Sequence, residues 1–154
     1  MFRPPLSCRA EMRNPFETWA GRRKQRAVRV SALAYVSTAD AALSGDQVMA
    51  MGTNAQFRNH GDGITGILVY NGRNFFQIIE GDRDPLYALL GRLHLDTRHV
   101  GMSLVYEQAQ MQRAFGNWDL RIWQANTLRD VAGELPRRLD PQLANLARSF
   151  AQLR

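Results

Sequence analysis

A few polar residues stand where polar groups are costly or chemically useful. Gln77 interrupts the apolar run Phe75-Phe76-Gln77-Ile78-Ile79. Both faces of that run are hydrophobic, so it reads as a central strand covered on both sides. A primary amide there needs hydrogen-bond partners, or its burial costs roughly 1–3 kcal/mol. Tyr35 closes the apolar run Val28–Tyr35. Its hydroxyl also needs a partner: a backbone carbonyl in a structural role, or a redox or hydrogen-bonding group in a functional one. Val48, Gly52, Ala55 and Asn59 fall at offsets 0, 4, 7 and 11, one stripe of a helix. Asn59 ends that stripe, where Asn serves more often as a helix cap than as a ligand contact. Arg92 and Asp96 lie four apart beside a leucine stripe, and on a bare helix such a pair is worth about 0.2–0.5 kcal/mol. Arg98-His99 follow where the helix ends, and positive charge suits that end of the dipole. No nucleophile–base pair, phosphate loop or metal cluster is visible to support turnover. His60, His94 and His99 are not spaced with Cys8 as a zinc site requires.

The elements that must position these residues follow from the chain as a whole. Its 154 residues suit one domain, and 45% apolar content suffices for a core. No apolar run approaches the roughly 18 residues of a membrane helix. Cys8 is the only cysteine, which rules out an intrachain disulfide and points to a reducing, cytoplasmic setting. The net charge of +6 is uneven: residues 1–28 carry seven basic residues against two acidic ones. Pro4-Pro5 and Asn14-Pro15 break any helix there. Residues 1–27 therefore read as a disordered basic leader, with an arm for nucleic acid or an acidic partner as the sharper reading and an over-called start codon as a third.

Val28–Tyr35 is the first expected strand, with a turn beginning at Val36. A helix is expected over Ser44–Asn59, capped by Ser44 or Asp46. Ile64–Tyr70 and Phe75–Ile79 form a hairpin through Asn71-Gly72-Arg73-Asn74, with Asn71-Gly72 expected in a type I′ turn. Asp84-Pro85 signals a second helix start, and Leu86, Leu89, Leu90 and Leu93 make its apolar stripe. Val100–Gln108 is a fourth strand. A loop with Arg113, Phe115 and Trp118 leads to a fifth, Leu120–Trp123. Residues 126–154 suggest two short helical segments split by Pro136 and Pro141, the last amphipathic through Leu143, Leu146 and Phe150. The order β-α-β-β-α-β-β is a ferredoxin-like α+β sandwich, with C-terminal helices capping the other sheet face. This divides the chain into a leader (1–27), a core domain (28–123) and a helical extension (124–154).

Taken in order, these fragments resemble a known family, the BLUF domain, a blue-light sensor that uses FAD. The resemblance runs from about Val28 to Trp123. It rests on Tyr35, Asn59 before Ile64-Thr65-Gly66, Tyr70, Phe75-Phe76-Gln77, Glu80-Gly81, Asp96-Thr97-Arg98-His99 and Phe115-Gly116-Asn117-Trp118. It implies an isoalloxazine ring between the two helices that cover one sheet face. It also implies that Asn59 bonds the polar edge of the flavin, which suits an amide that both donates and accepts. Arg92, Asp96, Arg98 and His99 match positions near the ring edge and side chain, Arg58 stands where the family often places another polar residue and would contact the ring edge, and Leu93 would pack on the ring. Tyr35 and Gln77 are the implied photochemical pair. Tyr35 gives up an electron and a proton to the excited flavin, Gln77 rearranges by rotation or tautomerisation, and the electron returns, leaving a small red shift. The sequence departs from the family at Trp118-Asp119-Leu120, where the family usually has Trp-x-Met. Leu120 keeps apolar volume but lacks the thioether implicated in carrying the signal.

The resemblance thus implies a non-enzymatic photoreceptor of the short, single-domain type. Its output would be altered contacts with itself or with a separate downstream protein, relayed through Trp118 and Leu120. The alternative is a flavin-free, ferredoxin-like interaction module in which Tyr35 and Gln77 are satisfied core polar groups. Nucleic-acid binding fits poorly, because Phe75 and Phe76 sit in an acidic-ended apolar strand rather than among basic neighbours.

Overall fold

The structure, a computed structural model, describes residues 30–110, 112–116, 121–124, 133 and 135–152, with the backbone alone at 121–124. The expected leader, Trp118, Leu120 and most of the first C-terminal segment lie outside these residues. The elements run β1 (Val30–Ala39), α1 (Gly45–Gly61), β2 (Thr65–Tyr70), β3 (Asn74–Gly81), α2 (Arg83–His94), β4 (His99–Gln110), β5 (Arg121–Gln124) and α3 (Pro141–Gln152). The five strands form one sheet in the order β4-β1-β3-β2-β5. The first four are antiparallel neighbours, and β5 joins β2 in parallel. This is the expected ferredoxin-like arrangement with one strand added at the edge.

Alternation along the strands separates two cores. Ala32, Ala34, Ile67, Val69, Phe76 and Ile78 face α3, which lays Leu143, Ala147 and Phe150 onto them. The Phe76 and Phe150 rings stack with centroids 5.4 Å apart. On the other face, α2 covers Leu33, Ile64 and Ile79 with Leu86 and Leu89. Helix α1 brings Val48 to Leu68 and Phe75. β3 is buried from Phe75 to Gly81, as a central strand covered on both sides must be.

Several boundaries differ from expectation, each for a physical reason. β1 does not end at Tyr35. It continues to Ala39 because Ser37 and Thr38 pair with Phe75 and Asn74 of β3, and tertiary pairing overrides the turn-like composition. Helix α1 starts where Ser44 and Gln47 form a reciprocal capping box. It runs two residues past Asn59, and Asp62 takes the C-cap position, so Asn59 is not the cap. Gly63, at φ 64°, then turns the chain toward β2. Helix α2 begins earlier than expected, with Asp82 rather than Asp84 at its N-cap position and no capping bond from the Asp82 side chain. Pro85 becomes its third residue, tolerated because first-turn amides have no intrahelical partner. Because α2 ends at His94, Asp96 lies beyond the helix and does not pair with Arg92.

The β2–β3 turn is not type I′. Among the described residues no non-glycine has positive φ, and Gly72 alone adopts it here, at 91°. The Asn71 N–H donates to the Asn74 carbonyl at 3.1 Å. The Asn71 Oδ1 accepts from the amides of Arg73 (3.2 Å) and Asn74 (2.8 Å). Asn71 thus closes the turn with its side chain, and glycine takes the first central position, as in turns of the II′ kind.

Candidate functional site

Strand register brings Tyr35 and Gln77 together. They are direct cross-strand partners on β1 and β3, on the face covered by α1 and α2. The β1–β4 register shifts between Ala34 and Tyr35, and a bulge of this kind re-aims side chains. The Tyr35 hydroxyl donates a short hydrogen bond to Gln77 Oε1. Both side chains are buried, at 3% and 4% exposure. Burial first, and the Asp96 carboxylate second, push the Tyr35 hydroxyl well above the usual phenol range. The phenol therefore stays protonated and remains a donor.

These two residues form the floor of a cleft between α1 and α2. It holds about 470 Å³ of atom-free space, its mouth included. The α1 wall is Val48, Met51, Gly52 and Ala55, the floor adds Leu68 and Phe75, and the far side is Leu93, Asp96, Arg98 and His99. Gly52 costs the helix about 1 kcal/mol relative to Ala. It stands on the wall, where its missing side chain leaves width.

The polar end is organised by ion pairing. Arg98 holds Asp96 with two parallel bonds, Nε to Oδ1 at 2.8 Å and Nη2 to Oδ2 at 2.5 Å. This fork is the strong bidentate geometry. The Arg98 hydrogen bond, against opposing burial, holds the Asp96 carboxyl below its usual range. The His99 ring meets Phe75 edge-on at 6.2 Å. Burial lowers the His99 imidazole below its ordinary value, with Asp96 opposing and Arg98 assisting. His99 is therefore neutral at pH 7, with one donor and one acceptor nitrogen.

Of the residues singled out in the sequence, Tyr35, Gln77, Leu93, Asp96, Arg98 and His99 meet at the cleft. Asn59 is 2% exposed at the end of α1, near but not on the wall. Arg58 is exposed, and Arg92 reaches across to Asp62 at 2.9 Å, tying α2 to the end of α1. The apolar walls were legible only in part. Val48, Gly52 and Ala55 form the stripe seen in the sequence, but Met51, Leu68 and Phe75 are types that any core uses.

The arrangement suits a flat, aromatic, polar-edged group. The walls are apolar, and the inner end offers phenol, amide, imidazole and an ion pair. Two buried polar atoms of this region, Asn59 Oδ1 and His99 Nδ1, have no partner within the protein. An isoalloxazine ring has matching donor and acceptor atoms along one edge.

The family described as sensors of blue-light using FAD (BLUF) matches residues 30–121. The chain belongs to the BLUF family. The dark-state structure of the BLUF protein BlrB shares the fold at TM-score 0.66 and 32% identity, over 80% of this chain and 96% of that one. Klebsiella pneumoniae BlrP1 with FMN and cyclic diGMP matches at TM-score 0.70 and 24% identity, over 79% of this chain and 34% of that one. That likeness speaks to the fold. Photoactivated adenylate cyclase subunit beta of Euglena gracilis is 28% identical over 125 residues, 80% of this chain. This chain spans only 14% of that subunit's length. Family membership makes this a flavin-binding, blue-light sensor domain. No described helix is long and apolar enough to cross a membrane.

Proposed function

We propose that this protein is a blue-light photoreceptor that holds FAD in the cleft between α1 and α2, with Tyr35 and Gln77 as its light-responsive pair. The observation that carries this reading is the buried hydrogen bond from Tyr35 to Gln77 on the cleft floor. When bound, the flavin supplies absorption of blue light and, once excited, a strong one-electron oxidant. Tyr35 is the protein's electron and proton donor, and Phe at this position could be neither. Gln77 is the switch, because its amide has a donor end and an acceptor end. With Oε1 toward Tyr35, it presents its amino group elsewhere. Exchanging the ends by rotation or tautomerisation reverses its bond with Tyr35 and changes what it offers the cleft. Two arrangements of one buried group give a metastable pair of states whose balance the surrounding contacts set.

Asn59 takes the polar ring edge with its unpartnered oxygen. Leu93 packs on the ring. Asp96, Arg98 and His99 hold the polar end, and Arg58 and Arg92 serve the outer edge. Output is a change of contacts with a separate protein or a second copy, relayed by Trp118, Leu120 and the C-terminal helix. The BLUF domain thus acts here as a sensor rather than an enzyme.

An absorption spectrum of the purified protein before and after blue light tests this. The expected result is a flavin spectrum with a reversible red shift that Tyr35→Phe and Gln77→Leu each abolish. Bound flavin without the shift would remove the photochemical role. Protein that takes up no added FAD would favour the flavin-free interaction module, and uptake of FMN in preference would correct the cofactor.

A further inference from the structure

Glu80 follows Gln77 by three residues on β3, so strand alternation turns its side chain to the opposite face. It is fully buried there. Its Oε2 accepts from the backbone N–H groups of Ala114 (2.8 Å) and Phe115 (3.0 Å). Arg113 completes the contact in the other direction. Its Nη1 donates to the Glu80 carbonyl at 3.0 Å and to Thr65 Oγ1 at 3.2 Å. Thr65 is the register partner of Glu80 on β2. Phe115 then enters the core beneath α3. Burial raises the Glu80 carboxyl above its usual range, against the two backbone donors and Arg113.

Burying a carboxyl here carries a desolvation cost that an apolar residue would not. What Glu80 provides instead is a direction. Its carboxylate bonds go to two successive amides, Ala114 and Phe115, in the segment that precedes β5. The β5 backbone in turn pairs with β2, where Ile122 stands opposite Leu68 and Leu68 opposite Gln77. Gln77 and β5 are thus joined across β2 and also around the end of the sheet through Glu80.

We propose that Glu80 is a positioning residue that clamps the segment entering β5 to the strand carrying Gln77, so that a rearrangement at Gln77 is delivered to β5. The delivery step rests on the photoreceptor reading above, and the clamp itself does not.

Amide hydrogen exchange on the full chain loaded with FAD, dark and illuminated, tests both parts. In the dark, Glu80→Leu is expected to speed exchange at Ala114 and Phe115 by roughly tenfold or more. Glu80→Gln, which keeps an acceptor oxygen, should retain most of the protection. Both variants should keep the flavin red shift. Light-dependent exchange across residues 121–124 should be present in the unaltered protein and lost in Glu80→Leu. Unchanged dark exchange at Ala114 and Phe115 in Glu80→Leu would overturn the clamp. A surviving light response at 121–124 in that variant would overturn the delivery. If Glu80→Leu does not fold, Glu80→Met, which also removes the acceptor but keeps flexible apolar volume, is read in its place, and unaltered exchange at the same two amides overturns the clamp. An unaltered protein with no red shift would overturn the photoreceptor reading and delivery together, and the dark exchange would still judge the clamp.

Discussion

The two faces of the sheet are built from alternate residues of the same strands, yet they do different work. Beneath α3 the apolar side chains form one continuous cluster, closed by the Phe76–Phe150 stack. Beneath α1 and α2 the apolar residues form two separate clusters. Between those two helices Tyr35 and Gln77 floor a cleft. The face beneath α3 gains stability from that contiguous burial, which favours folding in proportion to the apolar area removed from water. The divided face gives up some of that burial and keeps a site. A functional pocket on this fold is therefore a place where packing stops, and its opposite face carries the stability that the pocket does not.

The strongest way to break the comparison is to damage the sheet that both faces share. Gly66 has φ 153°, and a Cβ built on it would lie 1.9 Å from the Ile78 carbonyl oxygen. Gly66→Ala must separate β2 from β3, and the expected result is loss of the folded state, read as loss of the cooperative thermal transition.

Substitutions on single faces should separate stability from site. Phe76→Ala on the closed face should cost about 3–5 kcal/mol in chemical denaturation, while the folded fraction keeps its flavin uptake. Gly52→Leu on the cleft wall should behave in the opposite way. It removes the helix penalty of about 1 kcal/mol and fills the wall, so stability is held or raised while FAD uptake falls. If Phe76→Ala loses flavin as readily as Gly52→Leu, the two faces are not independent.

The smallest effect expected is a pH dependence from the divided face. The His99 imidazole is depressed by burial. As pH falls below about 6.5, the unfolded chain takes up a proton that the folded His99 resists, so stability is lost toward lower pH. Glu80, with its carboxyl raised, acts in the opposite sense as pH falls toward the carboxylate range. The difference between the unaltered protein and His99→Gln isolates the histidine. The variant should lose less stability than the unaltered protein between about pH 7 and pH 5.5. A parallel decline in the two would show that His99 does not resist protonation in the folded state.

Much of this architecture could be read from local patterns. The Ser44 cap, the stripe Val48-Gly52-Ala55-Asn59, the apolar runs on either side of Asn71-Gly72 and the amphipathic Leu143-Leu146-Phe150 helix are short-range signals. Each depends on residues within a few positions of one another, and each element formed where its signal stood. The polar residues were also legible as anomalies, because an amide in Phe75-Phe76-Gln77-Ile78-Ile79 demands a partner whatever the fold. Type and spacing could not say which partner. Tyr35 and Gln77 are 42 residues apart, and only the β1–β3 register makes them neighbours. The same holds for Glu80 with Ala114 and Phe115, and for Asp96. Its four-residue spacing from Arg92 suggested one pair, but the end of α2 at His94 gave it to Arg98 instead. The chain by itself determined which segments become helices or strands and which side chains require company, since those are properties of nearby residues in water. The tertiary structure alone decided who keeps that company, because hydrogen bonds between buried groups are set by strand register and helix length.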